Sequence, residues 1–170
     1  MCILHSWSNI ELIIQSSECD PCEWSQYGWV IDQVQLTDES VNVYCKQIKQ
    51  PEGKIVCDGS LKNGVSTSEL RTINTCPITA QNVVPGQKQD QSSYRAELGG
   101  IYMSILLTNA ICCKKKISSG KVTLGCDRKG AIQAIQDGRI ILSRWNSYDL
   151  LYHIQKAKRD SPIEWEFRWV

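Results

Sequence analysis

The sequence predicts an α/β domain built on a five-stranded mixed sheet flanked by helices, three antiparallel strands first and parallel strands after them. Three observations predict it. Short strand-like segments at 55–60, 65–74 (weakened by its serines and Glu69) and 78–84 follow one another, the first two joined by Asn63-Gly64. A long apolar segment at 92–113 then shows helical spacing. Beyond it, strand-like runs at 122–127 and 163–170 alternate with helical stretches, an order that yields parallel pairing through right-handed crossovers.

The first 52 residues are the least legible part of the chain. Ile10 with Leu12–Ile14 forms one apolar cluster, and Trp24, Tyr27, Trp29 and Val30 form a second. Val41, Val43 and Tyr44 alternate weakly, and neither a repeat nor a helix cap emerges. This stretch is read as an N-terminal extension of unclear fold. Pro51-Glu52-Gly53 is breaker chemistry, so the domain proper is set at 53–170.

From residue 53 each element has a local cause. Ile55–Ser60 reads as a strand, and Asn-Gly tolerates the positive φ angles of a type I′ hairpin turn, so residues 65–74 return as its partner. Cys76-Pro77 breaks that strand before a third at 78–84, completing a meander. Ser92 or Ser93 supplies an N-cap for the helix that follows. At 100° per residue Tyr94, Leu98, Ile101, Ile105 and Cys112 share a stripe, and Glu97 falls on it. Gly99-Gly100 costs about 1 kcal/mol per glycine in helix propensity, a cost that close approach of helix and sheet backbones would offset. Lys114–Lys116 suits the negative end of the helix dipole. Residues 128–137 and 145–159 fit two further helices, the second with Leu150, Leu151 and Ile154 inward. In the last strand Ile163, Trp165, Phe167 and Trp169 share one side, opposite Glu164, Glu166 and Arg168.

Composition narrows the function classes. The chain has 170 residues, 42% apolar, with no apolar run approaching the roughly 20 residues that cross a bilayer. Met1–Leu4 is too short and uncharged for a signal peptide, so an intracellular, soluble protein without membrane association is expected, cytoplasm or nucleus undetermined. Charge is uneven: residues 1–85 hold 5 basic and 10 acidic side chains, residues 86–170 hold 14 and 8. That asymmetry fits either a nucleic-acid-facing half or scattered solvated charge. Of nine cysteines, Cys57, Cys126, Cys112 and Cys113 lie within apolar runs, where thiols act as small hydrophobes. Cys19-Asp-Pro-Cys22 has metal spacing, but no second pair completes a zinc site, so free thiols are preferred.

Three acids stand out. Asp58 and Asp127 each close an apolar run, and Glu97 sits on the apolar stripe of the long helix. Carboxylates in such places are costly unless paired or bound to a metal. Taken one at a time, Asp58 also suits a turn before Gly59, Glu97 a helix first turn, and Asp127 a cap for the following helix. Asp137 and Asp149 read as surface helix residues.

The blocks Asp58-Gly59-Ser60 with Asn63-Gly64, Ser93-Tyr94-Arg95-Ala96-Glu97-Leu98, and Gly125-Cys126-Asp127 with Ala131-Ile132 resemble, in this order, the type 1 RNase H domain associated with retrotransposon reverse transcriptases. The resemblance covers residues 53–170. It implies metal-dependent endonucleolytic hydrolysis of the RNA strand of RNA–DNA hybrids, with Asp58, Glu97 and Asp127 both catalytic and metal-binding. It further implies two Mg2+ ions, Mn2+ being a substitute, Asp58 bridging them and the other two acids holding one each. Hard oxygen donors suit such ions. Ser60, Asn63, Arg95 and Arg128 become candidate substrate contacts, with Lys114–Lys116, Lys121 and Lys129 as phosphate contacts or a solvated charge run. The implied partner is an RNA–DNA hybrid, with ancestral fusion to a reverse transcriptase and no assigned oligomeric state.

The pattern departs from the family in four places. A fourth carboxylate and a His-bearing loop follow the last strand in the family, whereas this sequence is read as truncated after Trp169-Val170. Arg128 follows Asp127 where Asn or Ser is usual, Ser66 replaces a glycine, and Glu69 replaces an apolar residue. The alternative expectation is therefore a catalytically impaired, retroelement-derived remnant that at most binds nucleic acid.

Overall fold

The computed structural model describes residues 33–136 and 147–170. Its elements are β1 (Gln33–Gln35), α1 (Asp38–Lys49), β2 (Gly53–Lys62), β3 (Val65–Thr72), β4 (Thr79–Val83), α2 (Ser93–Lys115), β5 (Lys121–Cys126), α3 (Lys129–Gln136), α4 (Tyr148–Arg159) and β6 (Glu164–Trp169). They form one six-stranded sheet in the order β1-β4-β3-β2-β5-β6. The β1–β4, β4–β3 and β3–β2 pairs are antiparallel, and β2–β5 and β5–β6 are parallel. The α/β class and mixed sheet are as expected, with one strand more.

The additional elements precede residue 53. β1 is three residues, Gln-Val-Gln, on the sheet edge, too short to show an alternation. α1 was mistaken for weak strand alternation because its period is helical: Val41, Tyr44, Cys45 and Ile48 are buried at i, i+3, i+4 and i+7. Its cap is Thr37, whose hydroxyl accepts from the Ser40 amide while the Ser40 hydroxyl accepts from the Thr37 amide. Ser in place of Glu or Gln at that third position hides the usual signature. Both elements join the core that lies above residues 53–170, and Tyr44 hydrogen-bonds Thr108 of α2 at 3.0 Å.

Burial alternates along the strands. Ile55 and Cys57, Ser68 and Leu70, Val122 and Leu124, and Trp165 and Phe167 face the helices, whereas Lys54, Val56 and Asp58 with Thr67, Glu69 and Arg71 are exposed. The described helices thus cover one face of the sheet. The cause is topological. The crossovers β4–α2–β5 and β5–α3–α4–β6 advance in the same direction along the sheet. Right-handed crossovers that never reverse direction leave their helices on a single side. Asn63 and Gly64 take φ of 52° and 75°, the turn anticipated between β2 and β3.

α2 is the central element. Ser92 caps it by accepting from the Arg95 amide at 3.0 Å, and Lys116 closes it at φ 55°. By length and composition it could cross a membrane, against the expectation of no such run, but 83% of its apolar window is buried within this fold. Its backbone lies directly on β2. A Cβ added at Gly59 would sit 2.4 Å from the Ala96 carbonyl carbon and 2.4 Å from the Glu97 amide nitrogen. From the helix side, a Cβ at Gly100 meets the Cys57 Cβ at 3.1 Å, the close approach foreseen for Gly99-Gly100. Main-chain atoms cannot swing aside as a side chain does. Gly59→Ala is therefore expected to destabilise the fold by about 3 kcal/mol, the upper range for overpacking, measured as a lowered urea midpoint at unchanged slope.

Candidate functional site

The parallel pairing of β2 with β5 sets Cys57 opposite Cys126. Asp58 follows Cys57 within β2 and Asp127 follows Cys126 just past the end of β5, so the two acids come next in register where β5 stops. Glu97 approaches from α2, whose second turn rests on Gly59, and its side chain is only 5% exposed. Ligand atoms of Glu97, Cys126 and Asp127 lie within 4.8 Å of one another. Asp58 lies at the rim of that group, close enough for its charge to act on Glu97. The Gly59 amide donates to Asp58 Oδ1 at 2.9 Å and also serves the Glu97 carboxylate.

Electrostatics marks this as a strained grouping. Burial, then the charges of Asp127 and Asp58, push the Glu97 carboxyl up to about 7. Hydrogen bonds from Cys126 and Gly59 pull the other way without prevailing. A divalent cation is the natural relief for carboxylates gathered in this way, and three oxygen donors fit a hard ion such as Mg2+. Because an ion must displace the proton on Glu97, apparent metal affinity is expected to rise about tenfold from pH 6 to pH 8. Calorimetric Mg2+ or Mn2+ titrations at the two pH values check this, and Glu97→Gln should flatten the dependence.

The other expected contacts divide. Arg128 is exposed directly after Asp127 and its charge reaches Tyr94, so it borders the acids. Ser60 is exposed two residues from Asp58, its hydroxyl paired with Thr67 at 2.8 Å. Asn63 is taken up by the hairpin turn, roughly 17 Å along the strand from Asp58. Arg95 is a correction: it is 3% exposed, donates through Nε and Nη2 to the Pro85 carbonyl, and forms a 2.7 Å ion pair with Asp149. Its guanidinium points into the fold. Asp149, expected on the surface, is the other half of that lock. Lys114–Lys116 lie at the far end of α2, roughly 27 Å from Glu97 by helical rise. Lys121 pairs with Glu166 at 3.0 Å. Asp137 and the Cys19–Cys22 pair lie outside the described residues.

Three side chains at this end of the sheet had not been singled out for the site. Cys126 contributes its thiol to the acidic group. Glu69, a departure in sequence, stands opposite Asp58 on β3 and lines the same cavity of about 340 Å3, with Ser60 and Thr67. Trp169 is not half-buried with Phe167 but 62% exposed, and its indole donates to the Asp127 carbonyl at 2.9 Å while Lys129 sits over its ring. The alternation that placed Trp169 with Ile163, Trp165 and Phe167 holds for those three, which are buried, and stops at Trp169.

LC11-RNase H1, solved in complex with an RNA/DNA hybrid, matches 69% of this chain and 84% of its own length with a TM-score of 0.51 at 10% identity. The fold is that of an RNase H domain. RNase H1 of Halobacterium salinarum matches with a TM-score of 0.46 at 7% identity, covering 69% of this chain and 84% of its own. The N-terminal RNase H domain of a Mycobacterium tuberculosis protein, solved fused to maltose-binding protein, gives 0.44 at 13%, covering 69% and 82%. No protein-family model matches the chain, and no curated protein does. The RNase H-like fold therefore rests on three-dimensional likeness rather than on sequence similarity.

Proposed function

We propose that this chain hydrolyses the RNA strand of RNA–DNA hybrids in a reaction dependent on divalent metal. The observation that carries the reading is the meeting of Asp58, Glu97 and Asp127 at one end of an RNase H-like sheet. The three acids would hold Mg2+ or Mn2+, which when bound supplies an activated water and charge neutralisation at the phosphate. Asp58 within β2 and Asp127 just past the end of β5 are both exposed, where substrate phosphate can reach them. Glu97 stays fixed from below, held by the Gly59 amide and the Cys126 thiol. Arg128 offers a phosphate contact beside Asp127, and Ser60 and Thr67 offer hydroxyls to 2′-OH groups of the minor groove. The sequence blocks also support an origin beside a retroelement reverse transcriptase.

A second reading, hybrid binding without cleavage, is favoured by the cationic Arg128 and the thiol of Cys126 standing at the site. One assay separates the two. The full chain is incubated with Mg2+ and end-labelled RNA as a hybrid, as single-stranded RNA and as an RNA duplex. Cuts are expected in the RNA of the hybrid alone and are abolished by EDTA. Folded protein that retards the hybrid in a gel but never cuts it, with Mg2+ or Mn2+, would leave only the binding function.

A further inference from the structure

Trp169 is 62% exposed, an uncommon state for a side chain that folding normally draws largely inward. It is nonetheless held in place. Its indole N–H donates to the Asp127 carbonyl at 2.9 Å, and its backbone stands opposite Cys126 in the β5–β6 ladder. The ring is therefore anchored at two points beside one of the three acids. Lys129 Nζ lies 5.8 Å from the ring centre, and Arg128 and Lys129 are both exposed. Among the described residues neither forms an ion pair. Two residues back along β6, Lys158 Nζ sits 5.4 Å from the centre of the Phe167 ring. This border of the sheet thus joins a preoriented aromatic face to a row of cations. A pairing strand is not the matching occupant, because the Gln136 side chain already donates to the Phe167 carbonyl at 2.7 Å. The complementary ligand is flat, aromatic and anionic, which describes a nucleotide.

We propose that Trp169, flanked by Arg128 and Lys129, is a stacking subsite for one unpaired nucleotide of the RNA strand, next to Asp127. The proposal rests on the hybrid-cleaving reading of the acids and deepens it: the preferred substrate is a hybrid whose RNA continues into a single strand. A base inside a duplex is covered on both faces by its neighbours, so only an unstacked base can lie on the indole. Every base has a π-face, so the subsite reads whether the strand is paired rather than its sequence. Arg128 and Lys129 supply phosphate contacts that make the grip salt-dependent.

The test measures binding of the full chain in EDTA, where nothing is cut, by fluorescence anisotropy of labelled RNA–DNA hybrids. The hybrids are blunt, or carry a short unpaired RNA extension at the 5′ or the 3′ end. One of the two extensions is expected to tighten binding about 5- to 150-fold, the range for a single base on an aromatic side chain. Trp169→Ala should erase that preference, and so should Trp169→Leu, which keeps apolar bulk beneath Lys129. Trp169→Phe, which retains a ring but no donor, should keep much of it. An extension of abasic residues, with phosphates and no bases, should bind the wild-type chain no better than the blunt hybrid. This arm needs no variant to fold. Equal wild-type affinity for blunt and extended hybrids overturns the proposal. So does a preference that survives in Trp169→Ala or Trp169→Leu, or an abasic extension held as tightly as an ordinary one. Cleavage with Mg2+ is scored separately. Cutting without the extension preference defeats the subsite alone, and the preference without cutting defeats the nuclease alone.

Discussion

Glu97→Gln is expected to lower hybrid cleavage by about 1000-fold while leaving the fold intact. The amide is nearly isosteric, so packing against Ala96 and Gly59 is retained, but an anionic donor for the metal is lost. Removal of one preorganised electrostatic group from a water-excluded site commonly costs about 100- to 1000-fold in rate. A metal ligand that sits buried should lie at the upper end of that range. Stability provides a second, oppositely signed readout. The folded Glu97 carboxyl, raised to about 7, binds a proton that the unfolded chain has released above its ordinary value of 4.5. Metal-free wild type therefore loses stability as pH rises from 4.5 through 7, and the loss is complete above 7. Glu97→Gln carries no such penalty, so without metal it should melt higher than wild type at pH 8 and nearly level with it at pH 5. Quenched-flow or gel assays and thermal melts check the two halves. Cleavage within tenfold of wild type would remove Glu97 from the chemistry.

Asp149→Ala is expected to cost about 3 kcal/mol of folding stability. The carboxylate is 37% exposed, but its partner Arg95 is 3% exposed. Deleting the acid leaves a guanidinium buried with only the Pro85 carbonyl as acceptor, the expensive half of breaking a buried pair. Burial pushes the Asp149 carboxyl up, yet the hydrogen bonds and charge of Arg95 hold it below the ordinary range. The pair's stabilisation is accordingly full above the unfolded aspartate value and fades as pH falls through the lower folded value. Arg95→Met combined with Asp149→Leu should recover most of the loss, since apolar replacement of both partners removes the stranded charge. Chemical denaturation at pH 7 of both variants measures this. A loss under about 1 kcal/mol for Asp149→Ala would mean that water reaches Arg95 in the folded state.

What the sequence disclosed depended on the range of the underlying interaction. Strands and helices from 53 onward announced themselves because hairpin turn chemistry and helix capping act over four residues or fewer, as at Asn63-Gly64 and Ser92. Glu97 was legible as inward-facing because an acid on an apolar stripe conflicts with its neighbours. α1 was illegible because Thr37 pairs with Ser40, an unusual capping partner, and because Cys45 had not been counted as apolar within the stripe. The Arg95–Asp149 pair could not be read at all: its partners are 54 residues apart and neither lies in an anomalous local pattern. Cys126 was passed over for a related reason. A thiol in an apolar run looks like core filling until a carboxylate from another element is found beside it.

The contact of Gly59 with the Ala96–Glu97 peptide has a consequence for how such a chain drifts. There the approach of β2 to α2, beside Asp58 and Glu97, is set by backbone thickness as long as residue 59 carries no Cβ. Most side chains elsewhere can be exchanged without widening that gap, provided one position stays bare of a Cβ. A lineage can thus lose nearly all textual kinship while its two acids hold station. Selection would then police a hydrogen atom more strictly than the surrounding hydrocarbon.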